Sequence, residues 1–569
     1  MWPAERRTQQ SATYRSVGIV AASLIQDRFN ALHQLDTVED GLPVIAPQHP
    51  LTTEALGRLS SVSQIFASRV TDAQRVVALL NELRAFQGLA PSLDACRSSP
   101  APAAAKLQLL RSLAVFVHRL GSESTQALLK WRAWIESGGV CPTELRWHSV
   151  DIEQFPSLRG IGALTSLSLN FWRNMLNPPE LVDAIALKTL SLHACVGLSH
   201  PPVLRNLTAL EHLVLSDCSM LTHPPDLANA VALRTLSLNN CTRLLEPPVV
   251  SPRLLSLTMG HCVSLRQPPS LVNAHALRTL NLNGCMQLKE PPATVYAPQL
   301  EALYLRGCHA LLHPPVCTNG LRDFDLGHCR RLTRAPDFTN AGALVNLWLV
   351  ECTGLTELPR FTAPALTFVN MTDCTNLVEA PDLTTLNALE VLLLGGCTAL
   401  TTSPSLILDP LLRRVVLSNC TRLTEPPLIH ETALSELIFT GCTGLTRPPL
   451  IVYAPNLKFI DFTECTGLVQ TPELHNAPAL EMLIFSGCTS LRTSLEPINA
   501  PNLRHLSFEG CTKLETPPIL AHAPALRSLI FAGCTSLTQA PDLRYVPMLQ
   551  KLDLTGTPAK GLSSSRTNA

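Results

Sequence analysis

The sequence is poor in the features that most often announce an activity. Aromatic residues are 5% and charged residues only 15% of the 569 residues. The 44 basic and 44 acidic residues cancel to a formal net charge of zero. A balanced chain has no global attraction for nucleic acid or anionic lipid, and no long Lys/Arg run supplies a local one. No stretch approaches the ~20 consecutive apolar residues that span a bilayer. The motifs G-x-x-x-x-G-K-[ST], H-E-x-x-H, G-x-S-x-G and G-x-G-x-x-G are all missing, so nothing points to a phosphate cradle, a metalloprotease helix, a nucleophile elbow or a dinucleotide fold. No C-x-x-C pair is present, and zinc sites are usually built from such pairs.

Present in quantity are leucine, 46 prolines and 19 cysteines. Sixteen of those cysteines form a comb: Cys195, Cys218, Cys241, Cys262, Cys285, Cys308, Cys329, Cys352, Cys374, Cys397, Cys420, Cys442, Cys465, Cys488, Cys511 and Cys534. The steps are 21 to 23 residues. Trp172 occupies the same slot one unit earlier and Thr557 one unit later, which makes about 18 units over 164–560. A half unit, Ile152–Leu158, precedes them within a degenerate capping segment, 141–163.

The unit reads L-x-x-L-x-L-x-x-C-x-x-L-x-x-P-P-x-L. In "TLSLN", Leu236 and Leu238 point one way while Thr235, Ser237 and Asn239 point the other, the period of a strand. Stacked units would pair these strands into one parallel sheet. The proline pair, such as Pro247–Pro248, cannot donate ladder hydrogen bonds and disfavours a helix before it. The return side is therefore expected to be extended or polyproline-like. The cysteine follows the strand, where a small buried side chain with a weak donor fits a neighbouring carbonyl. A line of parallel thiols offers neither the convergent ligands of zinc nor the opposed geometry of a disulfide. The sixteen are read as a structural thiol ladder, with no metal and no cofactor.

This pattern is the leucine-rich-repeat signature with cysteine in its variable slot. Units such as "LIFSGCTSL" and "LIFAGCTSL" resemble the cysteine-containing repeats of plant TIR-type disease-resistance receptors, and also the leucine-rich-repeat effectors of bacterial pathogens and symbionts. The resemblance implies an α/β solenoid, a horseshoe with a parallel sheet on its concave face, and a protein ligand bound there. The nucleotide-binding module of the plant receptors has no counterpart here. Some of the bacterial effectors are ubiquitin ligases with a catalytic domain after the repeats, whereas only "PAKGLSSSRTNA" follows the last strand. The polar Thr557 and Lys560 in the final unit suit a modest cap and argue against a lost C-terminal domain.

Ahead of the array, 1–50 reads as a flexible leader with one short helix that begins at Ser16 and continues past Ile25 into "QDRFNALHQL"; the alternative for Ser16–Ile25 is a signal-peptide core. Residues 51–140 read as a small helical bundle that caps the sheet, with helices at Thr53–Arg69, Thr71–Gln87, Ala103–Leu120 and Glu123–Ser137. Residues 561–569 read as a disordered tail. Cys96 and Cys141 lie off the comb and would carry any activity of this region, in a reading where the repeats select the substrate of a ubiquitin-ligase-like effector. Cys317 fills a core leucine slot.

A partner is expected on the outward strand positions. The early units present Thr189, Ser191 and His193, then Thr235, Ser237 and Asn239, then Thr279, Asn281 and Asn283. The middle brings Tyr304 and Arg306, then Asp323 and Asp325. Beyond lie Trp348, Val350, Phe368, Val391, Leu393, Val416, Ile438, Phe459, Met482 and Ile484. Large apolar groups side by side on a solvent face mark an interface, and Trp, Tyr and Arg are its usual anchors. The function expected is a non-enzymatic, monomeric protein binder, an effector-type protein acting in the cytoplasm, including that of a host cell, with no nucleic acid and no membrane span.

Overall fold

A computed structural model describes residues 144–148, 162–358, 361–407, 411–430, 433–474, 477–492, 500–520 and 522–559. The leader, the four helices, Cys96, Cys141, Ile152–Leu158 and the tail lie outside the described residues.

Eighteen short strands, one per unit, run from Ser166–Asn170 to Lys551–Asp553 and join, with a further strand at Glu144–His148, into one 19-stranded sheet. Every pairing is parallel and sets each unit on the same position of the next. Leu190 meets Leu213, which meets Leu236, which meets Leu257. The pattern L-x-L produces this directly. Both apolar residues of each strand point inward and are buried in every unit but the last, where Leu552 is half-buried, and the residue between them stays on the open face. The leucine that opens each unit, the one after the cysteine, the second proline of the pair and the alanine of the "NAPAL" link close the same continuous core.

Each strand ends in a backbone feature that the leucine pattern does not announce. The residue immediately before the cysteine slot has positive φ in all eighteen units, at Phe171, Ala194, Asp217, Asn240, His261, Gly284, Gly307, His328, Glu351, Asp373, Gly396, Asn419, Gly441, Glu464, Gly487, Gly510, Gly533 and Gly556. The left-handed residue turns the chain from the strand into the core, so the side chain after it points inward. Glycine there avoids the Cβ penalty of ~1–2 kcal/mol, which accounts for the run of Gly-Cys pairs toward the C-terminal end.

The return side contains no α-helix among the described residues. It is extended, with turns and one 3-10 turn at Thr294–Tyr296. Units that read "PDL" or "PDF" fold the aspartate back on the chain: Asp226, Asp337, Asp382 and Asp542 each accept the N–H two residues on, at 3.0 Å. Three units carry "LI" or "LIVY" instead, and there the return side forms a second parallel sheet from Leu406–Ile407, Leu428–His430 and Leu450–Tyr453. Without an Asx acceptor to close a turn, consecutive leucine and β-branched residues extend and pair.

From Phe439 onward the second inward position changes from leucine to phenylalanine. Phe439, Phe462, Phe485, Phe508 and Phe531 stack ring on ring, with centroids 5.1–5.4 Å apart and interplanar angles of 11° or less. A 23-residue repeat in strict register places identical rings in one column.

Candidate functional site

The cysteine comb forms a ladder in three dimensions. All sixteen thiols donate to a backbone carbonyl of the preceding unit, at 3.0–3.3 Å. The acceptor is always the inward residue just upstream of the previous slot, as in Cys218 to Leu192 O and Cys285 to Met259 O. Most of those carbonyls also accept an N–H from their own unit, as Leu192 O does from Cys195. The thiols are free and fully buried. Burial pushes them up to about 12 at Cys195, Cys241, Cys285, Cys374 and Cys534. Near neutral pH these five are protonated donors rather than nucleophiles. Trp172 packs its indole into the first slot, and in the last Thr557 closes on its own unit by donating to Leu554 O at 2.8 Å. Cys317 is a buried core thiol.

The outward face divides into two halves of different chemistry. In the early units its polar groups satisfy one another across the strands. Ser191 Oγ donates to Asn170 Oδ1 at 2.8 Å. Ser237 Oγ lies 2.6 Å from Ser216 Oγ and accepts from Thr258 Oγ1 at 2.9 Å. Asn239 reaches Thr258 at 3.1 Å, and His212 Nδ1 lies 2.8 Å from Thr235 Oγ1. This ladder of hydroxyls and amides uses its hydrogen-bonding capacity internally.

From Tyr304 onward large apolar groups appear on the face among polar ones, and the register shows which groups meet. One row runs Phe368, Val391, Arg414, Glu436, Phe459, Met482. A parallel row runs Tyr304, Asp325, Trp348, Asn370, Leu393, Val416, Ile438, Asp461, Ile484. Trp348 and Phe368 touch diagonally, with ring centroids 5.7 Å apart. Trp348, Phe368, Val391, Leu393, Val416 and Ile438 therefore make one island. Phe459, Met482 and Ile484 make a second, separated from it by the Arg414–Glu436 ion pair (3.2 Å) and by Asp461, which accepts from Thr440 Oγ1 at 2.9 Å. Val350 lies beyond the paired segment, where its carbonyl accepts the His328 N–H. Neighbouring strands stand close enough that these side chains shield one another. All twelve candidates are half-buried except Met482, which is exposed.

Where the two halves meet, polar groups cluster. Arg306 Nη2 lies 2.6 Å from His328 Nε2, His328 Nδ1 lies 3.0 Å from Glu351 Oε2, and Arg330 Nη2 donates to the same oxygen at 2.8 Å. The Arg330 hydrogen bond is the main cause that holds the Glu351 carboxyl below its ordinary range, with His328 adding to it. Asp325 stands between Tyr304 and Trp348 and is fully buried. Burial pushes its carboxyl up to about 6 against the opposing pull of the Gly327 N–H and Arg306. Sequence reasoning placed Asp325 on the outward face without its burial. The signal was in the aligned column, where two aromatic residues flank it. The column before the cysteine, rich in Gly, Asn and Asp, likewise foretold the left-handed turn.

Parallel strands in identical register, an inward L-x-L face, a non-helical return and a cysteine ladder define a solenoid of leucine-rich-repeat type. No family model matches the chain, and no curated protein does. Solved structures of leucine-rich-repeat proteins do align with it. A leucine-rich-repeat protein from Bacteroides ovatus is 14% identical and covers 64% of this chain and 86% of its own, with a TM-score of 0.29. The functional domain of InlJ from Listeria monocytogenes, which includes a cysteine ladder, is 12% identical and covers 72% of this chain and 67% of its own, at 0.20. The leucine-rich-repeat domain of the type III effector XopL is 17% identical and covers 73% and 97%, at 0.17. The fold is defined by this chain's own strands and register. No helix among the described residues is long and apolar enough to cross a membrane.

Proposed function

We propose that the chain is a non-enzymatic protein-binding solenoid that grips a polypeptide partner on the apolar half of its outer sheet face, from Tyr304 to Ile484. One contrast carries this reading. The same strand positions are filled by a self-satisfied ladder of Ser, Thr, Asn and His in the early units and by Trp348, Phe368, Val391, Leu393, Val416 and Ile438 in the middle. Both sets build equally regular strands, so strand propensity does not require the apolar set. An apolar island rimmed by charged groups gains by desolvation against a complementary surface. The resemblance of the repeats to bacterial leucine-rich-repeat effectors gives the setting, a secreted protein acting in the cytoplasm of a host cell. The partner needs no cofactor and no nucleic acid.

The test is a pull-down from host-cell lysate with the full chain and with a triple variant, Trp348→Ser, Val391→Ser and Ile438→Ser, whose far-ultraviolet circular dichroism is checked against wild type. A protein captured by the wild type and lost with the folded variant supports the site. Equal capture by both would move attention to the N-terminal region.

A further inference from the structure

Among the described residues, Asp325 is the one carboxylate with a buried oxygen that the fold leaves without a hydrogen-bond partner. Its position recurs in other units, where Asn281, Asn370, Asp461 and Asp553 each accept the backbone N–H two residues on through Oδ1. Asp325 Oδ1 does the same with Gly327 N–H at 2.8 Å. An asparagine would meet that need without a charge, as it does at 281 and 370. Asp461 also places its second oxygen, on Thr440 Oγ1. Asp325 Oδ2 is buried and has no hydrogen-bond partner. The neighbouring cation, Arg306, is directed to His328 Nε2 at 2.6 Å. Among the described residues no basic side chain forms an ion pair with Asp325.

A buried carboxylate oxygen without a donor is costly, and what would offset it is a donor from outside. The walls specify that donor. Tyr304 and Trp348 flank Asp325 on the paired strands, and aromatic faces attract a cation brought beside them. A carboxylate between two rings fits a group that is positively charged, carries N–H donors and has an apolar stem. Arginine and lysine side chains have all three properties.

We infer that Asp325 anchors a single basic side chain of the polypeptide partner, received between Tyr304 and Trp348, while the partner's flanking apolar residues lie on the Trp348–Ile438 island. This rests on the protein-binding reading above and specifies it. Asp325 is fully buried in the free protein, so binding requires the side chains that cover it to move aside. A basic group enters, the Oδ2 oxygen accepts its N–H, and the rings pack along its stem. The partner's recognition segment is thus one arginine or lysine among apolar residues, not a polybasic run, because among the described residues Asp325 holds the one buried carboxylate oxygen without a hydrogen-bond partner. Glu351 is already engaged by Arg330 and His328, and Asp323 accepts from Asn346 at 2.7 Å.

The experiment selects a random peptide library on the immobilised full chain. Selected peptides are then resynthesised with the basic residue replaced by citrulline, or by norleucine for lysine. Affinities are measured for wild type, Asp325→Asn and Trp348→Ser, each checked by circular dichroism. The asparagine variant retains the Oδ1 acceptor seen at Asn281 and Asn370. Selected peptides are expected to share one basic position with apolar neighbours. Neutralising it should weaken binding to wild type at least tenfold, and Asp325→Asn should lose the same factor for the parent peptide while no longer distinguishing parent from neutral. The inference is overturned if Asp325→Asn binds the parent as tightly as wild type does, or if the neutral peptide binds wild type equally. If Trp348→Ser still weakens those peptides, the apolar face stands as a binding surface without a cation anchor. If no peptides are selected, or Trp348→Ser has no effect either, both readings fail.

Discussion

Substitution of one rung of the thiol ladder separates hydrogen bonding from packing. Cys285 is fully buried, and its thiol donates to Met259 O at 3.3 Å. That carbonyl also accepts the Cys262 N–H, at a long 3.4 Å. Alanine removes a buried atom about as large as a methylene, worth ~1 kcal/mol of transfer and cavity energy. It also removes the donor, for roughly another 0.5–1 kcal/mol, and leaves Met259 O with only the long bond. The expected loss is about 2 kcal/mol for Cys285→Ala. Serine keeps a donor in nearly the same place, so Cys285→Ser should lose only about 1 kcal/mol, chiefly from reduced apolar burial. The order of stability is therefore Cys, then Ser, then Ala. Urea unfolding followed by circular dichroism reads it. Amide exchange over Thr279–Leu288 shows where the loss falls, since each unit of a solenoid is held mainly by its neighbours. If the slot only needs apolar filling, a buried serine should be worse than alanine. An order of Cys, Ala, Ser would refute the hydrogen-bonded ladder.

Four further outcomes are expected. The folded-state carboxyl of Asp325, raised from 3.8 to about 6 by burial, holds its proton after the unfolded chain has lost it. Wild type is thus penalised as pH rises from about 4 through about 6, and Asp325→Asn, measured without a partner, should gain on it by about 3 kcal/mol over that window in urea melts. Equal pH profiles would show that the buried carboxyl does not titrate there. The ladder thiols, pushed up to about 12 at Cys241 and Cys285 by burial, should resist a thiol reagent in the native protein and react once it is unfolded in urea. Gly510 has a φ of +72°, and a Cβ added there would meet no atom closer than 3.6 Å, the distance to Gly487 N. Gly510→Ala should therefore cost about 1–2 kcal/mol from backbone conformation alone, and a neutral substitution would contradict the left-handed turn. Phe485 stacks on Phe462 and Phe508, at 5.3 and 5.1 Å. Phe485→Ala should cost about 3–5 kcal/mol by thermal or urea denaturation, more than the same change at an end of the column.

Part of the candidate site was legible because the repeat fixes facing. Once the strand position is known, Trp348, Val391 and Ile438 must point outward. Their grouping was not legible. The outward positions, read unit by unit, resolve into rows that cross the units, and the Arg414–Glu436 pair with Asp461 divides the apolar residues into two islands. A linear list cannot show which of two rows a residue shares with its neighbours until the register is set. The mutual hydrogen bonds of Ser191, Ser237 and Asn239 were hidden for the same reason, since each partner lies about one repeat away in the chain.

The sequence by itself determined the unit, its length and its facing. The L-x-L period, the cysteine slot and the proline pair leave a parallel, non-helical solenoid as the arrangement that buries the leucines of the repeat pattern in nearly every unit, and the phenylalanine column follows from the same arithmetic. Tertiary structure decided what depends on two units at once. It set each thiol on the carbonyl of the unit before, and it made a second sheet where "LI" replaced an Asx turn on the return side. It also buried Asp325 on a strand paired on either side with an aromatic residue of a different repeat. Composition and spacing act along the chain, whereas burial and pairing act across it, and an unsatisfied carboxylate is created only by its neighbours.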